Sequence, residues 1–128
     1  MPKRMNKKVK DLWVKALRSG DYKQGRGHLR DRNNNFCCLG VLCNIHAQEN
    51  PNNHLIKDSV KGKDFYNYGG SSVLPPVAVL KWAGIYNKYI CVDRLDNMVA
   101  HLWMRNDGGG QFIPHTFNQM ADFIEKNL

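Results

Sequence analysis

Cys38-Leu39-Gly40-Val41-Leu42-Cys43-Asn44-Ile45-His46-Ala47 is a nearly continuous apolar run. It predicts a buried helix, with a buried strand as the competing assignment, because periodicity does not separate the two when every face is apolar. The cysteines in and beside it invite a metal reading with His46. Zinc sites use pairs such as Cys-x2-4-Cys that converge on one tetrahedron. Here Cys37 and Cys38 are adjacent, Cys43 and Cys91 supply no matching pair, and free cysteine packs readily in cores. Reduced, metal-free thiols are expected. A nucleophilic cysteine with His28 or His46 would need an electropositive, partly exposed site.

On the N-terminal side, Val9, Leu12, Trp13, Ala16 and Leu17 recur at the spacing of one helix face, and Ser19-Gly20 ends the pattern. This predicts a first helix over residues 5–18. Tyr22, Arg26, His28 and Arg30 alternate as one side of an extended segment would. Asn33-Asn34-Asn35 is a turn signal, and Phe36-Cys37 the return strand.

On the C-terminal side, residues 48–72 carry loop chemistry, with a short strand expected around Phe65, Tyr66 and Tyr68. Pro75-Pro76 opens a helix that should end at Gly84. Leu95, Met98, Val99, Leu102 and Trp103 form another apolar stripe, closed by Asp107-Gly108. Thr116 and Gln119 have capping-box spacing ahead of Phe117, Met120, Ala121, Ile124 and Leu128. The fold class expected is α+β: one helix-rich domain over 1–128 with a small antiparallel sheet near 22–37 and 65–68. The 128 residues suffice for a self-supporting core. No apolar run reaches the roughly 18 residues of a membrane span. With no apolar signal core after the charged start, the cytoplasm is the expected compartment.

The net charge is +8, and residues 1–32 hold all of the excess, with eleven Lys/Arg against three Asp. The rest of the chain balances eight against eight. Such a field attracts nucleic acid, phosphorylated small molecules or acidic protein surfaces, although Lys3, Arg4, Lys7, Lys8 and Lys10 could equally be a solvated face. Lys23-Gln24-Gly25-Arg26-Gly27-His28-Leu29-Arg30 is the main candidate site. Glycines let a ligand reach the backbone N–H groups, and arginines match phosphate or carboxylate. The segment has neither P-loop nor dinucleotide-fingerprint spacing, so a glycine-bearing hairpin with surface arginines stays open. Arg105-Asn106-Asp107-Gly108 reads as a helix stop or as a polar site at a helix end.

Several stretches carry a resemblance. Trp13-x3-Leu17-Arg18-Ser19-Gly20-x-Tyr22-x-Gln24-Gly25-x-Gly27-x-Leu29-Arg30 resembles the opening of a family of small bacteriophage and prophage proteins. So do Cys38-Leu39-Gly40-Val41-Leu42-Cys43, Leu74-Pro75-x-Val77 with Trp82-Ala83-Gly84, Asn106-Asp107-x-Gly109, and Phe117-x3-Ala121-Asp122-x-Ile124-Glu125. The segment from Gly108 to His115 is longer here than in that pattern. The resemblance implies a phage protein at work in the host cytoplasm, where small proteins of this kind bind defence proteins or sequester nucleotide immune signals. The leading expectation is a binder, without cofactor or metal, that captures a small anionic nucleotide-like molecule. Lys23, Gln24, Arg26 and Arg30 would hold phosphates, Tyr22 or Tyr68 would stack on a base, and Asn106 and Asp107 would complete the site. The alternatives are an inhibitor that binds a host protein or nucleic acid through the basic N-terminal region, and a small hydrolase of a nucleotide signal. A homo-oligomer is compatible with all three.

Overall fold

A computed structural model describes residues 5–50, 60–61, 66–67, 75–85, 106–108 and 114–128. Its helices are α1 (Lys7–Ser19), α2 (Cys38–Glu49), α3 (Val77–Ala83) and α4 (Phe117–Asn127). Its strands are β1 (Lys23–Gln24), β2 (Asn35–Phe36), β3 (Val60–Lys61) and β4 (Tyr66–Asn67). The fold is helix-rich with very small sheets, as the sequence predicts. The stripe over Leu95–Trp103 lies outside the described residues, as do Tyr68 and Cys91.

Each helix end has a chemical cause. Asn6 caps α1 by accepting from the Val9 N–H at 3.1 Å, and Gly20 (φ 82°) takes the left-handed turn that stops it. Gly84 does the same for α3 at φ 79°. Thr116 and Gln119 form the expected capping box: the Thr116 N–H donates to Gln119 Oε1 at 2.8 Å, and the Gln119 N–H donates to Thr116 Oγ1 at 3.2 Å. The apolar run is a helix and not a strand. Cys37 caps it, its sulfur accepting from the Gly40 N–H at 3.3 Å, and Cys38 through Cys43, Ile45 and His46 are all buried.

The sheet near residues 22–37 corrects the antiparallel expectation. β1 and β2 pair in parallel, Lys23 opposite Asn35 and Gln24 opposite Phe36. A single antiparallel bridge, Arg30 to Phe36, lies outside the named strands. The physical reason is that residues 22–30 are not one extended segment. The chain leaves β1, bends through residues 26–29 with Gly27 at φ 89°, and passes β2 before turning back into it. Asp31 builds that turn by accepting from the N–H groups of Asn33 (2.8 Å) and Asn35 (3.0 Å) and from Asn35 Nδ2 (3.0 Å), with Asn34 at φ 63°. Desolvation pushes the Asp31 carboxyl pKa up, but these bonds outweigh it and hold the group below its usual range. β3 and β4 do pair antiparallel.

The core lies where α1 meets α2 and α4. Val9, Trp13, Val14 and Leu17 are buried against Leu39, Leu42, Met120 and Ile124. Full burial of side chains this size contributes roughly 1.5–3 kcal/mol each. Trp13 also donates its indole N–H to the Cys38 carbonyl at 2.8 Å, so its polar atom is satisfied inside the core. On the outer side of the α1–α4 contact, Arg18 pairs with Asp122 (2.6 Å) and Glu125 (3.0 Å), and Lys10 Nζ donates to the Glu125 carbonyl (3.0 Å).

Gly40 sets how closely α2 approaches the segment before β2. A Cβ built there would overlap the Leu29 carbonyl oxygen and crowd the Leu29 carbonyl carbon at 2.6 Å. Both are main-chain atoms of a fully buried residue and have no rotamer into which to retreat. We expect Gly40→Ala to cost more than about 3 kcal/mol, beyond the common range for overpacking. Urea denaturation checks this, and a loss under 1 kcal/mol would show that the two segments can separate freely.

Candidate functional site

Four of the eight expected site residues, Gln24, Arg26, Asn106 and Asp107, converge, but on one another. Asn106 is fully buried at the end of a helical turn that Gly108 (φ 81°) closes. Its Oδ1 accepts from Gln24 Nε2 at 2.9 Å and from the Cys38 N–H at 3.1 Å. Its Nδ2 donates to the Gly25 carbonyl and to Asp107 Oδ1, both at 2.9 Å. Gln24 Nε2 also donates to the His115 carbonyl at 2.7 Å, and Arg26 Nε to the Asn106 carbonyl at 3.1 Å. The Gly27 N–H, an expected phosphate donor, gives its hydrogen to Asp107 Oδ2 at 3.0 Å. The protein's own carboxylate thus occupies the place that a ligand anion would take.

Arg30 turns elsewhere. Its Nε and Nη2 donate to Asn34 Oδ1 at 2.9 and 2.6 Å, and its guanidinium lies 5.2 Å from the Phe36 ring centroid. The expectation that Arg26 and Arg30 emerge together fails because the backbone bends between them. Lys23 is exposed on β1. The Tyr22 hydroxyl accepts from Asn44 Nδ2 at 2.7 Å, and its ring meets Phe36 edge-on with centroids 5.0 Å apart. Gln24, Arg26, Asn106 and Asp107 are therefore joints of the fold.

The cysteine run offers no nucleophile. Burial pushes the Cys37 thiol up to about 12 and those of Cys38 and Cys43 well above the usual range, so all three stay protonated. His46, also buried, meets Trp82 edge-on at 4.8 Å, and burial lowers its pKa. Among the described residues no three His, Cys, Asp or Glu side chains converge as a metal set.

A surface groove lies along α1. A cleft of about 580 Å³ between α1 and the end of α2 is lined by Leu12, Lys15, Ala16, Tyr22, Ile45 and Glu49, with Ser19, Asp21 and Gln48 beside them. A second, of about 380 Å³, is lined by Lys7, Lys8, Asp11, Leu12 and Lys15. Leu12 and Lys15 belong to both. Unlike Lys10 and Arg18, the Lys7, Lys8 and Lys15 ammonium groups have no hydrogen-bond or ion-pair partner among the described residues. Sequence reasoning missed this groove because it read α1 for its core stripe. The signal was there: Lys8, Leu12, Lys15 and Ser19 repeat at steps of four, three and four residues, which is one helix face.

Two outcomes follow from the buried site. Asn106→Asp keeps the shape but removes the donor to Gly25 and places a buried carboxylate beside Asp107. It should cost about 3 kcal/mol or more at neutral pH. Its folded-state pKa will be raised, so the variant should recover stability relative to wild type as pH falls; denaturation midpoints at pH 7 and 5 test the sign, and parallel pH curves would refute it. Mass mapping after a thiol reagent at pH 8 should find Cys37, Cys38 and Cys43 unmodified in the native protein and modified in denaturant. Native-state labelling of any of the three would contradict their burial.

Among curated proteins and solved structures, no match to the chain was found. Residues 5–128 match a family described as a domain of unknown function, DUF8296. That match covers nearly the whole chain and takes in α1, the Asn106 joint and α4 together: the protein belongs to the DUF8296 family.

Proposed function

We propose that the protein is a phage-encoded binder that sequesters a small anionic nucleotide-like molecule, an immune signal of the host, in the groove along α1. The observation that carries this reading is the pair of adjoining clefts that share Leu12 and Lys15. One offers three lysines without a protein partner among the described residues, and the other offers apolar walls and a fixed tyrosine ring. Phosphates would sit over Lys7, Lys8 and Lys15, and the base would lie against Leu12, Ala16, Ile45 and Tyr22. This moves the phosphate role from Lys23, Gln24, Arg26 and Arg30 to α1 and keeps Tyr22 at the base. Cys37, Cys38 and Cys43 line neither cleft, so nothing there supports a thiol-dependent hydrolysis. The phage setting rests on the sequence resemblance, and sequestration is the counter-defence role that a binder without catalysis can fill.

The test is a calorimetric titration of wild type, Lys8→Ala and Lys15→Ala with nucleoside diphosphates, cyclic oligonucleotides and ADP-ribose, beside short single-stranded DNA. Each substitution should weaken nucleotide binding by roughly 10-fold, the value of one charge-assisted contact. Both should leave stability within about 0.5 kcal/mol, since the side chains are exposed. Equal affinity of all three proteins would remove α1 from the site. Tight binding of DNA alone would favour the nucleic-acid alternative.

A further inference from the structure

His46 is a polar side chain in a place that does not serve it. It is 2 % exposed, in the last turn of α2, and its Nδ1 is buried with no hydrogen-bond partner among the described residues. Buried polar atoms are nearly always paired, so the exception needs an account. The neutral imidazole can leave one nitrogen idle; the imidazolium cannot, because both of its nitrogens are donors. Its neighbour gives no relief: the Trp82 ring stands edge-on at 4.8 Å, and the polar atom of an indole is itself a donor. The negative end of the α2 dipole favours a cation at this position. Burial opposes it and prevails, since the His46 pKa is lowered.

No charge among the described residues offsets that cost. On α2 itself, Glu49 lies one turn after His46 and Cys43 one turn before, the latter a buried, protonated thiol. The main elements packed against α2 are α1, α3 and β2. From α1, Lys8 shares a cleft of about 190 Å³ with Glu49 and Trp82. From α3, Lys81 adjoins Trp82, and β2 brings only Asn35 and Phe36. None of these bonds to His46 among the described residues, and the charges of Lys8 and Glu49 oppose each other.

What rests on this contact is α3. At seven residues it is too short to hold its helix alone, so it exists by docking. Val79 and Ala83 are fully buried, the Ala83 carbonyl accepts from the Asn6 N–H at 2.8 Å, and a Cβ on Gly84 would come within 2.9 Å of the Asn6 nitrogen. Trp82 is the residue that α3 sets against His46. We propose that His46 is an acid-sensitive latch: a proton on its imidazole drives α3 off α2, where the ring reaches water. The open form holds the histidine at its ordinary pKa of about 6.5. Below that pH the open form binds more protons than the closed one, so opening becomes easier as pH falls. This holds whatever the groove along α1 binds.

The experiment is hydrogen exchange of wild type, His46→Gln and His46→Phe at about pH 7 and pH 5, on either side of the ordinary histidine pKa. It is read as protection factors, which remove the intrinsic pH dependence of exchange, with the amides of α3 compared with those of α1 and α4. In wild type, α3 protection should fall by at least about 5-fold, with a ceiling of roughly 25-fold set by an ordinary histidine pKa in the open form. The amides of α1 and α4 should change less, and both variants should lose the α3 effect. An unchanged α3, an equal fall in all three helices, or a fall that survives in either variant overturns the latch. Should neither variant fold, the His46 Cε1–H titration of wild type decides by NMR: a midpoint at or above about 6.5 overturns the latch, and one below it supports it.

Discussion

The carboxamide of Asn106 is the interaction on which the rest of the described structure depends. Both of its lone pairs and both of its N–H groups are used, the full capacity of an asparagine side chain. One of the groups it satisfies, the Cys38 N–H, belongs to the first turn of α2, where a helix has no internal partner to offer. Another is the Gly25 carbonyl, at the point where the chain leaves the parallel strand pair. The start of the buried helix and the exit from β1 are thus held by one side chain 68 and 81 residues away. The dependence extends further. Cys38, held through its N–H by Asn106, accepts the Trp13 indole through its carbonyl, and Gly40, two residues on, lies against Leu29. Loss of Asn106 would leave several buried polar groups unpaired at once, and that desolvation costs more than the bonds themselves are worth.

The parts of the fold that were legible in the sequence are those decided locally. α1 and α4 carry one-sided apolar stripes and their own caps, so their existence and ends can be read from neighbouring residues. α2 was ambiguous because it is buried on nearly every face and therefore shows no period to read. The sense of the β1–β2 pair was illegible for a different reason. A short segment with two glycines and a turn signal favours a hairpin on local grounds. What prevents the hairpin is the clamp of Asn106 and Asp107 on Gly25, Arg26 and Gly27, and no local pattern announces a contact that distant.

The candidate site divides the same way. Sequence reading places the charge excess in the first quarter of the chain. It could not say which charges the fold uses. Lys10 and Arg18 are committed to α4, Arg26 to Asn106, and Arg30 to Asn34 and Phe36. Of the anion cradle expected from glycine and arginine in the 23–30 segment, the Gly27 N–H meets a carboxylate, that of Asp107, while both arginines bond elsewhere. Composition reveals that a donor set seeks acceptors, not whether those acceptors come from outside.

α1 carries these threads together, because its faces have separate duties. Val9, Trp13 and Leu17 enter the core, Lys10 and Arg18 hold α4, and Lys8, Leu12 and Lys15 face the groove. Two of the three faces are fixed by packing and ion pairs, so the backbone under the third is already held, and a ligand bound there would order only side chains. Those side chains are lysines, compact charges on flexible stems, which attract phosphate without demanding one geometry. A site of that kind captures anionic ligands readily and discriminates poorly among them. Selectivity has to come from groups held in place, and in this groove that group is the tyrosine pinned by Asn44 and Phe36.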